Sequence, residues 1–152
     1  MSLTFGMKSA GECLQEFRNK IDQFDKDDLN TSLAMECAIA GWSVADWIFE
    51  CDGQRLGYNK LRDLQDEIRE QCQSLSHLQD IANARKHKEI DHYTPSVKSS
   101  GQREGDFNRD FSRDFNITRL VFHTDAGEFS FWSTLQSALY YYEKYFEQNK
   151  IT

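Results

Sequence analysis

Between Asn30 and Cys51 the chain carries only three charged residues, Glu36, Asp46 and Glu50. Leu33, Cys37, Ala40, Val44, Trp47, Ile48 and Cys51 recur at helical spacing along one side, and Ile39, Trp42 and Phe49 widen the apolar surface. A helix with so few charges needs neighbours on more than one side. The stretch therefore predicts a central, buried helix over 31–51, capped by Asn30 or Thr31 and closed by Asp52-Gly53. Its three carboxylates read as solvated or capping groups.

The rest of the chain supplies the neighbours. Leu14, Phe17, Ile21 and Phe24, at spacings of 3, 4 and 3, predict an amphipathic helix over 9–25. Leu61, Leu64, Ile68 and Cys72 predict another over 59–73, with a solvated outer face on which Arg62 can pair with Asp66. Ser76 and Gln79 have capping-box spacing and open a helix over 76–93, docked by Leu78, Ile81 and Ala82 and stopped by Pro95. A polar, glycine-containing loop is expected over 94–114. A hairpin over 116–132 then follows, with Leu120-Val121-Phe122 as one strand and Asp125-Ala126-Gly127 as its turn. Phe129 and Phe131 are the side chains that would lay it on the helices. Ser133 and Gln136 open a last helix over 133–148, and at least one ring of Tyr140-Tyr141-Tyr142 must face outward. The fold class is mainly α: a single domain, 1–152, built as a bundle of about five helices with a β-hairpin inserted before the C-terminal helix. A chain of 152 residues can bury roughly two thirds of its unfolded surface in one such core.

Charge and cysteine usage narrow the function classes. A formal charge of -7 argues against general attraction to nucleic acid or to anionic membrane, but a local basic patch can persist inside an acidic protein. Cys37, Cys51 and Cys72 lie on apolar stripes and no CxxC pair occurs, so buried reduced thiols are expected rather than a zinc site or disulfides. No cofactor or metal is implied. With no apolar run of about 18 residues and no leader signature, the expected address is the cytoplasm, with no membrane partner. The internal repeat DFNR-DFSR-DFN, 106–116, places Phe107, Phe111 and Phe115 beside Arg109 and Arg113. Its phenylalanines would latch the segment to the core, and Asp106, Asp110 and Asp114 offset any attraction of its arginines for RNA phosphate.

The helix expected over 76–93 holds the chemistry. Arg85 and His92 are two turns apart and can point the same way, the arginine to neutralise a phosphate and the histidine to move a proton at a ribose hydroxyl. Asn83, His87 and Asp91 lie on a different face, where His87 could be an oriented acid or base. Asn83 and His87 could equally bond a neighbouring backbone group or hydroxyl and serve packing.

An all-helical chain with an arginine and a histidine separated by six residues resembles the HEPN superfamily, whose motif is an arginine, four to six residues and a histidine on one helix. The resemblance implies a metal-independent ribonuclease or RNA-binding module that works as a homodimer. Arg85, His92 and His87 would be the catalytic candidates, and Asn83, Lys86, Lys88 and Tyr93 the binding candidates. Such a module would suit a defence or toxin-antitoxin system. The string DIANARKH is also similar to a DxANAxKH segment of small bacterial and phage-related proteins, where the shared residues are Asn83, Lys86 and His87. The alternative is a non-enzymatic protein-interaction or structural protein of a mobile element. It would dock a protein partner through its aromatic last helix, with the polar residues of 76–93 serving packing.

Overall fold

The computed structural model describes Leu3 and residues 5–87, 93–105 and 118–152. Within these lie five helices and three strands: α1 (Ala10–Lys26), α2 (Thr31–Asp52), α3 (Leu61–Gln71), α4 (Gln73–Lys86), β1 (Ser99–Arg103), β2 (Arg119–Thr124), β3 (Gly127–Ser130) and α5 (Phe131–Asn149). The fold is mainly α. As the low charge of its sequence requires, α2 packs against all four other helices. Asn30 caps it by accepting from the Leu33 amide at 3.0 Å, and α1 returns along it so that Lys20 Nζ donates to Glu36 at 3.1 Å. Leu14, Phe17, Ile21 and Phe24 are all buried where α1 meets the core. The turn after α2 is made at Gly57, φ 89°, while Gly53 keeps right-handed helical angles.

Between α3 and α4 only Cys72 is extended, at φ -138° and ψ 98°. Helix α4 therefore starts at Gln73, one turn before the expected Ser76, and no side chain caps it. The earlier start puts Leu75 in the core with Leu78 and Ala82, which outweighs a cap at Ser76. The same happens at α5, which begins at Phe131 with Ser130 rather than Ser133 as its cap. The Ser133 amide donates to Ser130 Oγ at 3.3 Å. Among the thiols, Cys13, Cys37 and Cys72 are buried and Cys51 is exposed, so Cys51 does not join the core. Burial pushes the Cys13 and Cys37 thiols up to about 12, leaving both protonated.

The structure departs most from the expected elements at the end of α4 and in the segment after it. Helix α4 stops at Lys86, and His87 is extended at φ -131°, ψ 128°, so no helix runs through to residue 93. Asn83 Nδ2 donates to the Tyr93 hydroxyl at 3.0 Å. In a continuous helix ten residues would separate those two by about 15 Å, so the chain has doubled back. Past Ala82 the stripe offers Arg85 rather than an apolar group, and short helices without a docked face are marginal.

The expected loop over 94–114 contains β1, which pairs antiparallel with β2 from Ser99↔His123 to Arg103↔Arg119. With β3 this makes a three-stranded sheet in the order β1-β2-β3. All of β1 is exposed and its sequence, SSGQR, has no apolar alternation, so its strand form comes from pairing and not from propensity. Gly127, φ 129°, completes the hairpin turn, and Leu120, Phe122 and Phe129 lay the sheet on the helices. The repeat over 106–116 lies outside the described residues. No described helix is long and apolar enough to cross a membrane.

Candidate functional site

Helix α4 sorts its polar residues into two sets. His77, Asp80 and Asn83 face inward. The His77 ring, 2% exposed, packs against Phe122 and Phe129 at centroid distances of 5.0 and 4.8 Å. Burial pushes its imidazole below the usual range, and the nearby Asp80 partly opposes this. Asp80, 4% exposed, accepts the backbone amides of Ser96 and Val97 on one oxygen, at 2.7 and 3.0 Å. These contacts fasten the returning segment to α4.

Tyr93 completes the junction. Burial raises its hydroxyl to about 12, the Asn83 hydrogen bond works against that shift, and the Asp80 carboxylate helps keep the proton on. From α3, Arg69 pairs with Asp66 and donates to Gln79 Oε1 at 2.9 Å. A cavity of about 400 Å³ lies between α3, α4 and the returning segment, with Arg69, Ser76, Tyr93, Thr94 and Ser96 in its wall. Most polar groups in that wall already bond to one another. The arrangement holds three chain segments in register and leaves an open, polar mouth.

The second set, Arg85, Lys86 and His87, is exposed at the end of the helix. Lys86 lies close enough to Asp46 of α2 to lower its carboxyl, whose pKa is raised by burial and also lowered by a 3.1 Å hydrogen bond from Gln65. Helix α4 ends at Lys86, one residue past Arg85. His92, Lys88 and Asp91 lie outside the described residues. Asn83 and Tyr93 are brought together, bonded to each other in the junction.

Sequence reasoning passed over Asp80, although it lies in the quoted DIANARKH string. The available signal was a single acid one turn after a histidine on a docked helix, followed by a Pro95 turn whose amides need an acceptor. Arg69 carried no local signal and Gln79 only that of a helix cap, since only the α3–α4 hairpin brings the two together. Among the described residues no three His, Cys, Asp or Glu side chains cluster to hold a metal ion. Set against family models, curated proteins and solved structures, the chain matches none.

Proposed function

We propose that this chain binds single-stranded RNA at the C-terminal end of α4, through Arg85, Lys86 and His87, the binding half of what its resemblance to the HEPN superfamily implies. One observation carries the reading. The only acidic residue of α4, Asp80, is turned inward onto backbone amides, so the charge this helix presents to solvent is wholly positive. Cations at a helix C-terminus are also favoured by its dipole, which keeps them in place before any ligand arrives. In a protein of net charge -7 the attraction is short-ranged.

The test is fluorescence anisotropy with a labelled single-stranded RNA at low salt. Replacing Arg85 and Lys86 by alanine together is expected to weaken binding by at least tenfold. No binding by the wild type, or binding indifferent to the double substitution, rules the reading out.

A second reading rests on α5, where Trp132 and Tyr140 are 44% and 63% exposed. Two large aromatic rings on one helix suit a protein partner, and a second copy of this chain is the first to test. Sedimentation equilibrium of the wild type and of Tyr140→Ala distinguishes a dimer through this face from a monomer.

A further inference from the structure

The outer face of the sheet carries a cluster that the α4 site does not use. Cross-strand register puts Ser99, His123 and Glu128 side by side in one row across β1, β2 and β3. Arg103 and Arg119 stand opposite each other four residues along β1 and four along β2, on the same face because side chains alternate along strands. The ring of His123 is hydrogen-bonded on both sides, Nδ1 to Ser99 Oγ at 3.3 Å and Nε2 to Glu128 Oε1 at 3.2 Å. Arg103 Nε donates to the other Glu128 oxygen at 2.8 Å. To do so its side chain crosses the uncharged row of Gly101, Val121 and Ser130, where glycine leaves the surface low. Ser99, Arg103, Arg119, His123 and Glu128 are all exposed.

We infer that this face is a ribonuclease site, in which Glu128 and His123 transfer the proton and Arg103 with Arg119 holds the phosphate of a single-stranded RNA. The inference rests on RNA being the ligand, though not on the α4 contact. Three functions meet here: a carboxylate base, an imidazole acid and guanidinium groups for a pentavalent phosphate.

The step balances on these groups. Glu128 takes the proton of the ribose 2′-hydroxyl, and the 2′-oxygen attacks the adjacent phosphorus, forming the P–O2′ bond. The P–O5′ bond breaks, and the 5′-oxygen leaves with the Nε2 proton of His123. A 2′,3′-cyclic phosphate and a free 5′-hydroxyl result. The proton now on Glu128 passes over the 3.2 Å bond to His123, which restores the starting state. Arg103, through its hydrogen bond, and the neighbouring His123 both hold the Glu128 carboxyl below its usual range, so the base is ionised at neutral pH. Ser99 is a positioning residue. Its hydroxyl is bonded to Nδ1 at 3.3 Å and fixes the plane of the ring against Glu128.

The substrate for the test is a DNA oligonucleotide containing a single ribonucleotide, incubated in EDTA from pH 5 to 8. Binding is measured in parallel on the same strand with a 2′-O-methyl group in place of the hydroxyl. Expected are cleavage after the ribose only, a cyclic-phosphate end, and a bell-shaped pH profile. Glu128→Gln and His123→Gln should each lower the rate at least a hundredfold while binding persists. Ser99→Ala should lower kcat with KM little changed, and Ser99→Thr, which keeps the hydroxyl, should restore it, a split that a purely structural serine would not give. Binding without cleavage overturns the catalytic assignment and leaves the RNA reading standing. Cleavage undiminished in Glu128→Gln and His123→Gln also overturns it. Absence of binding overturns both.

Discussion

Asp80 is a buried carboxylate held by backbone amides. Asp80→Ala leaves the amides of Ser96 and Val97 without their acceptor, and an unmet buried donor costs about 1–3 kcal/mol. The variant is expected to lose about 2–3 kcal/mol in urea unfolding, with Asp80→Asn losing less because one side-chain oxygen remains. An unchanged midpoint would mean that these bonds do not fasten the returning segment.

His77 supplies the second prediction at this scale. Burial holds its folded pKa below the usual 6.5, so the unfolded chain takes up a proton that the folded chain refuses. Its contribution is complete above that unfolded value and is lost as pH falls below it. The loss is at most about 1.4 kcal/mol per pH unit. His77→Phe, set among Phe122 and Phe129, should lessen the fall in stability between pH 7 and 5. An equal fall in the two proteins would show that the imidazole does not carry it.

At the scale of elements, helix packing overrides local preference. Gly41 sits in the middle of α2, where alanine would be favoured by about 1 kcal/mol on propensity alone. A Cβ there would stand 2.8 Å from the Phe17 ring of α1 and 3.0 Å from Leu78 of α4, and both of those side chains are fully buried. Its carbonyl also accepts the Tyr142 hydroxyl of α5 at 2.7 Å, so four helices meet at this residue. Gly41→Ala is expected to destabilise by about 1–2 kcal/mol, the overpacking term exceeding the propensity gain. A rise in the thermal midpoint would show that α1 and α4 can move apart.

Caps follow the same rule. Ser9 caps α1 by accepting the Glu12 amide at 3.1 Å, whereas Ser76 and Ser133, with similar capping spacing, are overtaken by a helix that starts earlier. In both cases an apolar residue just upstream, Leu75 or Phe131, is buried once it joins the helix.

For the whole molecule, the balance of charge is negative and the proposed contact is small. If the two cations at the end of α4, Arg85 and Lys86, neutralise phosphates, log K for single-stranded RNA should fall with log salt at a slope of about -1.4. A slope several times steeper would require a larger basic surface than α4 presents. The sheet bears on this scale too, because Phe122 and Phe129 dock it on α4 through His77. That contact sets the junction and the sheet on one helix, so loosening at His77 would be felt by both.

The sequence by itself determined the helical periods, the central place of α2, the hairpin and an outward ring among Tyr140-Tyr141-Tyr142, because each depends on spacing along a single segment. Phe17 and Val44 could be placed in the core for that reason. Tertiary structure decided where helices begin and end, since burying Leu75 outweighs a cap and the Asp80 bonds to Ser96 and Val97 reverse the chain. It also made a strand of SSGQR, whose form depends on a partner twenty residues away. The histidine-bearing helix was legible as the place to look. Its division into an inward set of His77, Asp80 and Asn83 and an outward set of Arg85, Lys86 and His87 was not. Periodicity gives the angle of a side chain about its helix, but its partners come from other segments.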